Sequence, residues 1–169
     1  MEAIAKDAGV QRATVYNHFP TDLDLIDACS SHWILENPPP DATPWAEIAD
    51  PKRRTESALD DMYNYFDQGK DMLEKVLRDA PLVPALAEIN SRKLQPMLEH
   101  VVELLATGWE NAGSPTDHTQ DDVSAPIRAI LRVALEFFTW QTLTRSGLSN
   151  NEAARLVAAW IDTVANEAE

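Results

Sequence analysis

Glycine and cysteine are scarce in this chain, and basic residues are outnumbered by acidic ones. Five glycines among 169 residues leave few places for left-handed turns or flexible linkers. Ala and Leu are abundant instead, a balance that favours helices. The single cysteine, Cys29, excludes an intrachain disulfide and fits a reducing, cytoplasmic setting. The opening MEAIAKDAG has no basic segment and no apolar one, so no signal peptide is expected there. The longest apolar stretch, residues 127–140, is interrupted by Arg128, Arg132 and Glu136. It reads as a buried helix, and no membrane partner is expected. Convincing period-two alternation is missing too, which argues against strands.

The shortage of basic residues carries the most functional weight. Fourteen Lys and Arg face 28 Asp and Glu, for a net charge of −14. Residues 1–36 hold Lys6 and Arg12 against Glu2, Asp7, Asp22, Asp24, Asp27 and Glu36, a net −4, and the other −10 lies beyond. Such a balance argues against tight binding of nucleic acid regardless of sequence. It leaves room for a local docking surface, because only that surface must be positive or neutral. No Ser-His-Asp set, P-loop, paired-glycine fingerprint or EF-hand is present, so no enzyme, cofactor or metal is expected.

What is there is a globular composition, 44% hydrophobic and 25% charged, with helical periodicity through most of its length. Short helices are predicted over residues 2–8 and 12–19, with Gly9 making the turn and Pro20 the stop. Thr21 with Asp24 forms a capping box that opens a helix to about Glu36. ENPPPDATPWAEIADP, with five prolines from Pro38 to Pro51, predicts a semi-rigid connector and a domain boundary. Asp50 as N-cap and Pro51 at the first position start a long helix to about residue 80. Its stripe holds Leu59, Met62, Tyr63, Phe66, Leu73, Val76 and Leu77. A short helix over 83–88, another over 91–112 and a polar loop over 111–126 are expected next. Residues 126–145 read as one helix, apolar on more than one face and so covered on more than one side. Gly147 ends it, and Ser149 with Glu152 caps the last helix. That helix carries Ala153, Leu156, Val157, Trp160, Ile161 and Val164 at three-and-four spacing.

Two short helices joined by a Gly turn suggest helix-turn-helix, whose second helix enters the major groove. Val15 and Phe19, one turn apart, point inward. Ala13, Thr14 and Asn17 lie opposite, with Arg12, Tyr16 and His18 on the flanks. Small and polar residues there allow close approach to base edges. Arg12 suits paired hydrogen bonds to guanine, and the hydroxyls of Thr14 and Tyr16 suit phosphate oxygens.

IAKDAGVQRATVYNHFPTDLDLIDA resembles the N-terminal domain of tetracycline-repressor-like (TetR family) transcriptional regulators. The residues in common are Ile4-Ala5, Ala8-Gly9-Val10, Thr14, Tyr16, His18-Phe19, Leu23 and Leu25-Ile26. Beyond Pro38 the likeness is one of kind, an all-helical second domain. The resemblance implies an all-α homodimeric repressor, with a DNA-binding domain over 1–37 and a ligand-binding and dimerisation domain over 51–169. Arg12 and Ala13 then face bases of a palindromic double-stranded DNA operator, while Thr14, Tyr16, Asn17 and His18 mostly touch its backbone. A small-molecule pocket is implied in the second domain, and the last two helices of each subunit form the dimer. The surplus on 126–140 and the stripe on 153–164 favour that interface independently of the family.

Three positions depart from the family pattern. A helix that precedes the motif in members has no counterpart here, so the three-helix domain is incomplete, and an upstream extension beyond an internal Met1 is expected. Asp22 stands where a phosphate-binding lysine is common, and a carboxylate repels phosphate. Gln11 stands where Ser or Thr caps the reading helix, at a cost of about 1 kcal/mol. The alternative is therefore a dimeric small-molecule-binding helical protein that no longer reads DNA.

Met62, Tyr63, Phe66, Met97, Trp109, Phe137 and Trp140 are the candidate lining for a hydrophobic or aromatic effector. Taken one at a time, each reads first as an ordinary core residue, and it is the family resemblance that favours some of them as pocket lining. Glu99, His100 and Glu103 have helical spacing for a metal but read first as a solvated face, as does His118 among Asp117, Asp121 and Asp122. Cys29 reads as a small buried residue. Lys52, Arg53 and Arg54 sit at a helix N-terminus, where cations are disfavoured, and call for an acidic neighbour or a DNA phosphate.

Overall fold

The computed structural model describes residues 2–112 and 120–167. Among them are nine helices and no strand, so the fold is all-α. The helices are α1 Glu2–Asp7, α2 Arg12–His18, α3 Asp22–Glu36, α4 Thr43–Ala46, α5 Pro51–Asp79, α6 Pro84–Ala112, α7 Gln120–Ala134, α8 Phe137–Arg145 and α9 Asn150–Glu167.

Local chemistry sets several of the boundaries. Thr21 Oγ1 accepts from the Asp24 N–H at 3.1 Å, and Asp24 Oδ2 accepts from the Thr21 N–H at 3.0 Å, which closes the capping box of α3. Ser149 and Glu152 repeat the arrangement at α9, with bonds of 3.3 and 2.9 Å. Asp50 Oδ2 accepts from the Arg53 N–H at 3.2 Å at the start of α5. Gln11, the N-cap of α2, makes no side-chain cap bond. Gly9 and Gly147 follow α1 and α8 with φ of +65° and +99°, a conformation that a Cβ disfavours.

The chain divides into two compact units, one of Met1–Pro38 with Lys75–Gln95, the other of Pro39–Glu74 with Pro96–Glu169. In the first, only Ala5, Val15, Ala80 and Ile89 are buried apolar side chains among the described residues. α1 packs on α2. α3 buries none of its side chains fully; Leu23, Leu25, Ile26, Trp33 and Ile34 are half-buried and Leu35 is exposed. A polar clamp holds it instead: Lys93 Nζ on α6 reaches Asp27 Oδ1 at 2.7 Å, the Asp27 carbonyl at 3.1 Å and Ser31 Oγ at 2.6 Å.

The second unit has a continuous core. α5 buries Ala58, Leu59, Met62, Tyr63, Tyr65, Phe66 and Leu73, and α6 adds Val101, Val102, Leu105 and Ala106. α7, α8 and α9 pack on one another. Their buried positions include Ile127, Leu131, Leu135, Phe137, Trp140, Ala153, Val157 and Ile161.

Four sequence expectations change. Residues 84–112 form one helix that carries Pro96 inside it, in place of two separate helices. Residues 126–145 are broken between Ala134 and Phe137, and α7 begins at Gln120, which places Pro126 inside it. Cys29 is exposed rather than buried, because α3 has no buried side at all. The proline-rich connector is more than a spacer: it includes α4, whose Trp45 is buried and donates its indole N–H to Asp61 Oδ2 at 2.8 Å. Prolines fix the backbone of that segment but do not forecast a tertiary partner for an aromatic within it.

Candidate nucleic-acid interface and aromatic core

α1, the Gly9 turn and α2 build the first candidate site. The Val10 N–H bonds to the Ala5 carbonyl at 3.0 Å and the Thr14 N–H to the Gln11 carbonyl at 2.9 Å, so both ends of the turn are tied to the helices, and the Phe19 N–H closes α2 on the Val15 carbonyl at 2.8 Å. Val15 is buried and Phe19 half-buried. That orientation leaves Arg12, Ala13, Thr14, Tyr16, Asn17 and His18 all exposed on the remaining surface of α2. Arg12 and Tyr16 form a pair there: the guanidinium donates to the phenol oxygen at 3.2 Å and lies 5.3 Å from the ring centroid. Ile4 and Val10 stand beside this helix pair, each 43% exposed.

Acidic groups border the site. Asp22 and Asp24 occupy the first turn of α3, where they suit the helix dipole; both are exposed, and Asp24 is engaged by the capping box. Two cations of the triplet at the start of α5, Lys52 and Arg54, are used within their own unit. Lys52 Nζ meets Asp162 Oδ2 at 2.8 Å, and the carboxylate raises the ammonium's pKa. Arg54 Nε donates to the Ile48 carbonyl at 2.9 Å, and its side chain runs over Gly108, where a Cβ would stand 2.8 Å from the guanidinium. Arg53 is exposed.

The second candidate site is aromatic. Of the seven lining candidates, the ring contacts join Tyr63, Phe66, Phe137 and Trp140 in one cluster. Ring centroids are 6.4 Å apart for Tyr63–Phe66, 5.8 Å for Phe66–Phe137, 5.9 Å for Phe66–Trp140 and 5.2 Å for Phe137–Trp140. Tyr65, not foreseen as part of it, packs on Phe66 at 6.2 Å. Its position next to Phe66 off the α5 stripe gave no signal. Met62 is buried, and Met97 is half-buried. Trp109 is buried and donates to Thr55 Oγ1 at 3.0 Å, about two turns before Tyr63 on α5.

The polar ends of these aromatics are satisfied inside the unit. The Tyr63 hydroxyl donates to the Ala134 carbonyl at 3.0 Å. Trp140 Nε1 donates to Asn150 Oδ1 at 2.9 Å, and Asn150 Nδ2 to Asn64 Oδ1 at 2.8 Å. Among the described residues, no buried side-chain nitrogen or oxygen lacks a partner. Burial raises both phenol pKa values, that of Tyr65 to about 12, so both rings are neutral donors at physiological pH. The cluster is a buried aromatic core and offers no group poised for acid–base work.

Elsewhere, Glu99 and Glu103 pair with Arg132 and Arg128, and the Arg132 bond lowers the pKa of Glu99. Among the described residues no group of His, Cys, Asp and Glu is arranged to hold a metal ion. His118 lies outside the described residues. None of the described helices is long and apolar enough to cross a membrane.

Four apolar side chains on the α7–α9 bundle are between 43% and 53% exposed: Val133, Phe138, Leu156 and Trp160. Leu156 and Trp160 are one turn apart, at the edge of the buried stripe of Ala153, Val157 and Ile161. The apolar arc of α9 is therefore wider than the arc its own unit covers.

Comparison with protein-family models, with curated proteins and with solved structures finds no match to this chain.

Proposed function

We propose that the chain is a cytoplasmic, ligand-responsive transcriptional repressor of the tetracycline-repressor type, acting as a homodimer on a palindromic operator. The observation that carries this is the α1–Gly9–α2 pair. Its left-handed turn lies between two short helices, and the second presents Arg12, Ala13, Thr14, Tyr16, Asn17 and His18 together to solvent. A symmetric operator requires two reading helices about 34–36 Å apart, hence a dimer. The half-exposed apolar groups of α8 and α9 supply a surface for one. Effector binding in the aromatic core then changes the separation of the two helices.

The second reading is a dimeric small-molecule-binding protein that no longer reads DNA. Asp22, exposed where a DNA strand would pass, favours it.

The deciding experiment titrates the protein against genomic fragments at several salt concentrations. The repressor reading expects selection of a palindrome, an affinity that falls with salt, and a loss of about tenfold or more on Arg12→Ala, from about 1–3 kcal/mol for a bidentate base contact. Selection of no fragment at low salt, by protein that remains dimeric, leaves the second reading in place. Trp160→Glu is expected to give monomers and to remove operator binding; a dimer of unchanged stability would overturn the interface.

A further inference from the structure

The break between α7 and α8 has no local cause. Residues 133–138, Val-Ala-Leu-Glu-Phe-Phe, contain neither glycine nor proline. Glu136, the N-cap of α8, is a poor capping residue and makes no side-chain cap bond. Helix interruptions without such residues come from a group inserted into the backbone ladder. In a continuous helix the Val133 and Ala134 carbonyls would accept from the N–H groups of Phe137 and Phe138. Here the Val133 carbonyl accepts from the Glu136 N–H at 3.2 Å, and the Ala134 carbonyl accepts from the Tyr63 hydroxyl at 3.0 Å. Both acceptors are re-employed, and the released N–H groups become first-turn donors of α8. The inserted group is thus a side chain from α5, fully buried beside the aromatic cluster.

We propose that the α7–α8 bend is a two-position element pinned by the Tyr63 hydroxyl. Local helical preference favours a continuous rod, and the bond from α5 favours the bend. Loss of the Tyr63 bond frees the Ala134 carbonyl for the Phe138 N–H and straightens the element. Phe138 then rotates with α8 relative to Val133 on α7. The core is in this way coupled to the apolar face on α7–α9. The effect on dimerisation rests on the function proposed above; the bend and its pin do not.

The test is a distance along the element. Spin labels at Ala125→Cys and Thr142→Cys, both exposed sites, are placed in a Cys29→Ser background. These positions are 17 residues apart, about 26 Å in a continuous helix, and a bend shortens that span. The otherwise unchanged protein is expected to give one shorter distance. Tyr63→Phe is expected to add a population at the rod length, which Tyr63→Phe with Glu136→Asp reduces again by capping α8. Glu136→Ala changes only an exposed residue and is expected to raise the same population with the core intact, so it decides the matter if Tyr63→Phe does not fold. An unchanged distance in Glu136→Ala and in folded Tyr63→Phe overturns the proposal. DNA binding is not part of this readout, so failure of the repressor reading leaves it standing.

Discussion

α3 in the first unit has fifteen residues and buries none of them fully, whereas α5 in the second buries nine, so the two units hold their helices by different means. α3 depends on its capping box and on Lys93, contacts made mostly by groups that remain in water. α5 depends on burial of large side chains, whose removal from water contributes about 1.5–3 kcal/mol each. Charge divides in the same sense. The first unit holds six basic residues against eight acidic ones, a net −2, which leaves −12 on the second. A near-neutral, thinly buried unit carries the candidate reading helix, and an acidic, well-packed one carries the aromatic core. Regions with few buried contacts open most easily. Hydrogen exchange is therefore expected to run faster through α1–α3 than through α5 and α9.

The largest expected effect sharpens this contrast directly. Phe66 is at the centre of the aromatic contacts and only 2% exposed. Phe66→Ala is expected to cost about 3–5 kcal/mol and to lower the denaturant midpoint of the whole second unit. Val15 is the one buried side chain of α2, and Val15→Ala is expected to cost about 2 kcal/mol, seen as faster exchange in α1 and α2. A fall in protection of α5 and α9 on Val15→Ala, matching that of Phe66→Ala, would mean that the two units unfold as one.

A smaller effect uses the same chemistry twice. Thr21 and Ser149 each cap a helix through a reciprocal pair of bonds, one in each unit. Each change to Ala is expected to cost about 1 kcal/mol. In α3, with little burial to hold it, Thr21→Ala is expected to accelerate exchange without moving the global midpoint. Ser149→Ala is expected to move the midpoint, because α9 is packed against α7 and α8. Equal shifts of the midpoint would erase the distinction between the units.

The two capping boxes also mark what was legible in the sequence. Thr21 with Asp24, Ser149 with Glu152, Asp50 before Pro51 and the Gly9 turn are interactions among neighbours, and sequence spacing determines them. The inward direction of Val15 and the exposure of Arg12 to His18 follow from helical period in the same way. What escaped depends on contacts distant in sequence. The bend at Leu135–Glu136 needs Tyr63, 71 residues before the carbonyl it engages. Burial of Trp45 needs Asp61, and exposure of Cys29 follows from a helix left without a covering layer. The aromatic candidates were legible as apolar, but only the fold joins Tyr63, Phe66, Phe137 and Trp140 into one cluster while pairing Trp109 with Thr55. Likewise the α9 stripe was legible as a whole, though not its division into a covered part and the exposed Leu156 and Trp160.

The smallest effect concerns acid, and it tests the charge half of the contrast. Hydrogen bonds from Ser149 hold the carboxyl of Glu152 below its usual value of 4.5, and the Arg132 guanidinium does the same for Glu99. Thr43 lowers Asp41 from 3.8 by its backbone and hydroxyl bonds. All three lie in the second unit; Asp79, lowered by Arg78, is the counterpart in the first. A depressed carboxyl stabilises the fold fully above its unfolded value and loses that contribution as pH falls through the folded one. These bonds therefore weaken the second unit progressively below about pH 4.5. Protonation also discharges a unit with a net −12, which relieves self-repulsion and opposes the loss. The groups are exposed, so each contribution is small and screened by salt. Ser149→Ala separates the two effects: it removes the hydroxyl bond, the larger of the two Ser149 bonds that depress Glu152, keeps the backbone one and leaves the net charge alone. The unfolding midpoint of the variant is expected to fall less steeply than that of the unchanged protein between pH 5 and 3. Parallel curves would mean that discharge of the acidic surface, rather than loss of specific carboxylate bonds, governs how the second unit responds to acid.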